Sequence, residues 1–395
     1  MEKNAELNQV PIRPITKGPE FHWFGYYDKL QFDPTQRYIL GMEVAFEHRR
    51  PGPEDIIKIG MVDTLDGDRW VELDRSRAWC WQTGCMLQWR PGSDSEIMYN
   101  DHEGDTFVSH ILNVKTSSKR TLPFPFFTVH PLGQTALGID FERLEYMRPG
   151  YGYAGVPDRN KEVLAPDDAG IYRLNLQTGE SRLIISLADL AAMSHPNQDL
   201  SRCKHYCNCL LFSPDGELFA FLHRWRPDEG RGWPFKTRLL TARPDGTDIR
   251  ILVPGGCGHF NWRNSQQLIV QDGGFSIYQC GTGRIEQVGK GIIPDSGGHV
   301  SYLPAGNWIV GDTYPDLERN QHLYLYNVKN NQMIRLGAFK SPVEYTGAQA
   351  EFVDDEWRCD LHPRVSPDGR LITIDSPHGG DGRQMYLIDV GTLVN

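Results

Sequence analysis

Apolar residues along this chain gather in short runs, each entered through a turn marked by Pro or Asn, and the same cadence returns seven times. The turns lie at Phe32-Asp33-Pro34, Trp89-Arg90-Pro91, Val129-His130-Pro131, Phe212-Ser213-Pro214, Trp262-Arg263-Asn264, Tyr302-Leu303-Pro304 and Val365-Ser366-Pro367. The runs that follow, such as Tyr38-Ile39-Leu40-Gly41-Met42, Leu218-Phe219-Ala220-Phe221-Leu222 and Leu371-Ile372-Thr373-Ile374, read as strands. Further β-rich runs split by Gly or Asn turns, as at Thr178-Gly179 and Asn330-Asn331, make each unit a four-stranded meander. A repeat of about 40 to 60 residues cannot bury its own apolar face, so radial stacking into a seven-bladed β-propeller is predicted, an all-β fold.

The last unit ends at Gln384-Met385-Tyr386-Leu387-Ile388-Asp389 with little chain left for an outer strand, while Val10-Pro11-Ile12-Arg13-Pro14-Ile15 precedes the first unit without a partner. An N-terminal strand is therefore expected to complete the last blade and close the ring. Between Asp140 and Cys203 the spacing stretches to admit an insertion with a short helix at Leu187-Ala188-Asp189-Leu190-Ala191-Ala192-Met193. Long loops on a rigid scaffold tend to carry binding groups, so this insertion is a candidate wall of a site.

Length alone would allow two or three domains, but a propeller grows with its blade number, and one domain over residues 1–395 is expected. The formal net charge of -10 argues against a nucleic-acid surface, and no stretch of apolar residues is long enough to span a membrane. The first residues lack a basic start and apolar stretch, which favours a cytoplasmic protein, although a trimmed secreted chain would look the same. Eight irregularly spaced cysteines do not form a disulfide scaffold and read as reduced thiols.

Aligning the units on their turns exposes two columns. Three residues before each apolar anchor stand Lys29, Met86, Phe126, Cys209, His259, His299 and His362, where the innermost strand begins at the channel mouth. Cys209, His259, His299 and His362 from four successive blades form a candidate metal site, with Zn²⁺ favoured by the thiolate over Mn²⁺; inter-blade hydrogen bonding is the plainer role for these histidines. At the end of the second strand stand Glu43, Asn100-Asp101, Asp140, His223-Arg224, Asp272, Asp312 and Asp375, and the acids there read mainly as backbone clips. Arg224 breaks the pattern. Hairpin register sets it near His205 and Tyr206, a forked cation beside two proton-exchanging groups. His22, Tyr26 and Tyr27 belong to an aromatic stretch at the same end. No nucleophile elbow, phosphate loop or HExxH motif is present.

Phe21-His22-Trp23-Phe24-Gly25-Tyr26-Tyr27-Asp28, Arg148-Pro149-Gly150-Tyr151-Gly152-Tyr153, Lys204-His205-Tyr206-Cys207-Asn208 and Asp360-Leu361-His362-Pro363-Arg364 resemble stretches of the oligogalacturonate-lyase-like propellers, a group that includes ulvan lyases. That resemblance implies β-elimination at C4 of a uronic acid in an oligosaccharide or polysaccharide, leaving an unsaturated sugar. Arg224 would neutralise the carboxylate and His205 would take the C5 proton, with Tyr206, Tyr26 or Tyr151 as acid. His22, Tyr27, Arg148, Tyr153 and Asn208 would contact the sugar. Where the family motif has His this chain has Cys209, so any metal site is modified, and a structural divalent ion is favoured because Arg224 already supplies charge. A non-catalytic glycan- or protein-binding propeller is the main alternative, and a glycoside hydrolase using Asp312 with Asp375 a third.

Overall fold

A computed structural model describes residues 10–196, 198–227, 234–295, 297–345 and 357–394. Seven four-stranded antiparallel sheets follow one another along the chain and form a β-propeller. Six blades are built from consecutive strands. The seventh combines Arg364–Val365, Leu371–Ser376 and Gln384–Asp389 with the N-terminal Ile12–Pro14, which pairs Ile12 with Ile388 and Pro14 with Tyr386. The ring is therefore closed by the strand that the sequence left without a partner.

Alternating apolar side chains of each sheet interlock with those of the next, which is how units with no core of their own become stable together. Trp23, Trp79 and Trp81, for example, pack edge and face across blades one and two with ring centroids 4.9–5.4 Å apart. The insertion expected between Asp140 and Cys203 is split by the outer strands of blade three, Gly170–Asn175 and Ser181–Ser186: helix Phe141–Met147 precedes them and helix Leu187–Ala192 follows, leading to blade four. The second starts at a reciprocal cap in which the Ser186 hydroxyl accepts from the Asp189 amide and the Asp189 carboxylate accepts from the Ser186 amide.

Both aligned columns are real features of the backbone. In the first, Met86, Cys209 and His362 adopt left-handed φ values of 57°, 55° and 44°, a conformation that costs a non-glycine residue about 1–2 kcal/mol. Register slips at Asn208/Leu211 and Gly297/Val300 bulge the inner strands beside Cys209 and His299; such bulges turn a side chain out of the sheet's alternation.

Three members of the second column, Asn100, Asp312 and Asp375, clip neighbouring blades together, while Glu43, Asp140 and Asp272 bond within their own blades. Asn100 of blade two bonds both the amide (3.0 Å) and the carbonyl (2.8 Å) of Phe126 at the start of blade three. Asp312 of blade six accepts from the amides of His299 (2.6 Å) and His362 (3.1 Å). Asp375 of blade seven accepts from the amides of Phe24 and Gly25 in blade one and from both Nη atoms of Arg364. Because Asp312 and Asp375 are consumed in this way, the paired-carboxylate arrangement considered for a hydrolase is not formed.

Candidate active site

In blade four the column reads His223-Arg224, and a cavity of about 1060 Å³ opens beside Arg224. That is the upper end of the range for small-ligand sites. Its walls come from blade one (Tyr26), the insertion (Arg148, Tyr151, His195), blade four (Cys209, Arg224, Phe235), blade five (His259), blade six (Tyr314) and the approach to blade seven (Arg358). Six cationic residues line it, Arg148, Arg224, Arg226, Lys236, Arg319 and Arg358, and no Asp or Glu among the described residues. In a chain of net charge -10, so one-sided a lining is built for an anion.

Arg224 is 8% exposed and has no carboxylate partner among the described residues; its Nε, like that of Arg148, is buried without a hydrogen bond. The two guanidinium carbons each lie 4.6 Å from the centroid of the Phe235 ring, and that of Arg148 lies 4.4 Å from the Tyr151 ring. Stacking fixes their planes but brings no counter-charge from the described residues, and a buried unpaired charge is costly until a counter-ion arrives.

Two phenols in this cavity are pushed in opposite directions. Burial raises Tyr151, but Arg358 and Arg148 outweigh it and the net shift is downwards; Arg358 Nη2 donates to its hydroxyl at 2.9 Å. Tyr26 is raised far above its ordinary value, first by burial and then by nearby Cys209, whose Sγ lies 3.3 Å from the Tyr26 hydroxyl. Groups whose ionisation is driven apart in this way suit the two halves of a proton transfer.

Beside the cavity, one ligand atom each from His299, Asp360 and His362 lies within 4.8 Å of the others. His299 Nδ1 bonds Asp312 at 3.0 Å and His259 Nδ1 bonds the Gly298 carbonyl at 3.0 Å. Those bonds orient the rings and leave each Nε2 as the free donor atom, as carboxylate- or carbonyl-anchored metal ligands require. His362 Nε2 is buried with no partner. Burial, reinforced by His299, keeps His362 neutral, so the donor set fits a divalent ion; His259, expected as a further ligand, lies outside this three-residue group. Cys209 falls outside the group. Its thiol meets Tyr26 instead, and burial pushes its ionisation up, which removes the argument for zinc that rested on a thiolate.

Several residues predicted for the site, His205 among them, do not line the cavity. His205 and Tyr206 are adjacent on the strand Cys203–Phe212, so they face opposite sides. Tyr206 pairs with Arg224 and His205 with Trp225. On its own face His205 has both ring nitrogens engaged, Nδ1 with His223 Nε2 and Nε2 with the Leu200 carbonyl, each at 2.9 Å. Because Arg238 Nε donates to His223 Nδ1 at 3.0 Å, the tautomers follow: His223 Nε2–H donates to His205 Nδ1, and His205 Nε2–H donates to Leu200. Tyr206 is not in the lining itself but adjoins it: its ring meets Phe235 edge-on at 6.2 Å, its hydroxyl is buried without a hydrogen bond, and its phenol is raised by burial and pulled back by Arg224 and Arg148.

His22 bonds Glu43 and Gln384 and is buried against Trp70. The Tyr27 hydroxyl donates to the Phe260 carbonyl at 2.9 Å. Tyr153 stacks flat on Phe141 and accepts from Asn100, while Asn208 Oδ1 caps the Cys209 amide. These four hold the scaffold and do not line the cavity. Sequence reasoning missed Arg358, Asp360, Phe235 and Tyr314. Asp360 stood in a motif already noted, two residues from His362, but nothing in the spacing aimed Arg358 at Tyr151.

No family model matches the sequence, and no curated protein does either. Among solved structures, an oligogalacturonate lyase from Vibrio parahaemolyticus aligns over 97% of this chain and 94% of its own, with TM-score 0.65 and 14% identity. An oligogalacturonate lyase in complex with manganese aligns over 96% and 93%, with TM-score 0.62 and 16% identity. The β-propeller domain of the Trilobed protease from Pyrococcus furiosus aligns over 93% and 94%, with TM-score 0.51 and 8% identity. At these identities the likeness shows the fold, which oligogalacturonate lyases share with propellers of other activity.

Proposed function

We propose that this protein is a lyase that cleaves uronic-acid-containing oligosaccharides by β-elimination. The observation that carries the reading is the pair of uncompensated guanidiniums, Arg148 and Arg224, set beside a phenol whose ionisation is lowered. A uronate carboxylate between Arg148 and Arg224 would supply the missing counter-charge through charge-assisted hydrogen bonds. Neutralising that carboxylate makes the C5–H bond acidic. Tyr151, held by Arg358, then takes the C5 proton, the C4–O bond breaks as the C4–C5 double bond forms, and Tyr26 gives its proton to the departing oxygen. Tyr314 and Phe235 supply apolar faces for sugar rings.

A divalent ion held by His299, Asp360 and His362 would supply Lewis-acid charge at the cavity edge or brace blades six and seven there. Both oligogalacturonate lyases aligned above are by name enzymes of a uronate oligosaccharide, in keeping with such a substrate here, and one of them is in complex with manganese. The test is ultraviolet absorbance of the conjugated product during incubation with pectic, ulvan-type and rhamnose-glucuronate oligosaccharides. A rise that Arg224→Ala and Tyr151→Phe each abolish supports the proposal; new reducing ends without absorbance overturn it.

A further inference from the structure

Arg358 joins two groups that lie on different parts of the ring. Its Nε donates to Asp360 Oδ2 at 2.8 Å, and its Nη2 donates to the Tyr151 hydroxyl at 2.9 Å and to Gln82 Oε1 at 3.4 Å. The Arg358 side chain is 13% exposed and that of Asp360 3%, so water screens the pair little. The same Oδ2 lies 3.9 Å from His362 Nε2. One carboxylate oxygen is thus the meeting point of the guanidinium and the three-residue donor group.

A carboxylate can serve two cations in space, since it has two oxygens and about four lone-pair positions. It cannot neutralise both in charge. Without an ion, Asp360 compensates Arg358, and the guanidinium adds little field to the cavity. With a divalent ion on Asp360, His299 and His362, that negative charge is drawn to the metal and Arg358 becomes a third uncompensated cation beside Arg148 and Arg224.

We propose that Arg358 links filling of the His299–Asp360–His362 site to binding of an anionic sugar, each favouring the other. The linkage rests on the carboxylate-binding reading above. It differs from direct contact between ion and sugar, because it runs through a residue that competes with the ion for Asp360. Arg358 is accordingly a positioning residue on the metal side, and its removal has opposite effects on the two ligands.

The experiment is calorimetric titration of the full chain with Mn²⁺, with and without saturating free galacturonic or glucuronic acid, using galactose as the neutral control. Either uronic acid is expected to tighten Mn²⁺ binding by about fivefold or more, and Mn²⁺ to tighten uronate binding by the same factor, as reciprocity demands. Galactose leaves Mn²⁺ binding unchanged. In Arg358→Gln, Mn²⁺ binds more tightly than in the unaltered chain because the competitor is gone, uronate binds more weakly, and the linkage factor falls to near one. Arg358→Lys, which restores a cation, restores the linkage.

Weaker Mn²⁺ binding in Arg358→Gln, as a merely structural arginine would give, overturns the proposal, and so does a linkage factor that survives in that variant. Should Arg358→Gln fail to fold, Asp360→Asn decides: it keeps an oxygen for Arg358 Nε but removes the charge. Its metal-free uronate affinity should match that of the metal-loaded unaltered chain; an unchanged or weaker affinity refutes the linkage. Uronate binding of equal strength with and without Mn²⁺ sinks the linkage alone. Absence of uronate binding in every state sinks the carboxylate reading and the linkage with it.

Discussion

His205→Ala separates a catalytic from a structural histidine more sharply than any other substitution in this chain. Truncation strands two buried groups, the His223 Nε2–H and the Leu200 carbonyl that His205 now pairs. At about 1–3 kcal/mol for each unsatisfied buried group, the expected loss is about 2–6 kcal/mol. The unaltered chain carries a matching pH signature. Burial lowers His205 from 6.5 to about 4, so between those values the unfolded chain holds a proton that the folded chain does not. Stability from this group is therefore complete above pH 6.5 and is lost as the pH falls, by about 2 kcal/mol between pH 7 and pH 5 and about 3 kcal/mol by pH 4. Urea unfolding of both proteins at pH 7 and pH 5 measures the two effects, and the variant should show the smaller acid dependence. Its turnover per folded molecule should fall less than about tenfold, whereas loss of a general base costs about 10²–10⁴. A hundredfold drop in turnover with stability changed by less than about 1 kcal/mol would refute the structural assignment and restore His205 as the base.

Tyr151→Phe removes the phenol and leaves the ring, so turnover should drop by about 10²–10⁴ with uronate binding retained; unimpaired turnover would place the base elsewhere. Asp375→Ala strands the Phe24 and Gly25 amides and the buried Arg364 guanidinium at the junction that closes the ring. A loss of about 3–5 kcal/mol in urea unfolding is expected, and a loss below about 1 kcal/mol would show that the clip contributes little. Metal analysis after dialysis against a divalent ion should find full content in Cys209→Ala and depleted content in His362→Ala, since Cys209 lies outside the donor group; the reverse result would reinstate the thiolate.

The ring, its closure and the seven second strands were legible because each rests on local chemistry: turn residues fix where strands end, and a strand with no neighbour in sequence must find one in space. The exceptional column position at Arg224 was legible for the same reason, since a charge that departs from a repeat has no scaffold task to explain it. Side-chain direction was not. His205 and Tyr206 were grouped because they are adjacent, and adjacency on a strand is what separates them. His22, Tyr27 and Tyr153 sit in aromatic stretches that read equally well as sugar platform or inter-blade packing, and burial decided for packing. Arg358 and Tyr151 meet across a sequence distance no repeat encodes, and the Asp360 donor shows itself only once blades six and seven are side by side.

The central claim is that uncompensated guanidiniums and a lowered phenol in this cavity perform an elimination on a uronate. Its most direct measurement is the ultraviolet absorbance of the conjugated uronate product, followed with uronate oligosaccharides for the unaltered chain and for Arg224→Ala. Rising absorbance in the first and a rate lower by about 10²–10³ in the second is the expected result. Reducing ends released without absorbance, or binding of every uronate offered with no turnover, would contradict it.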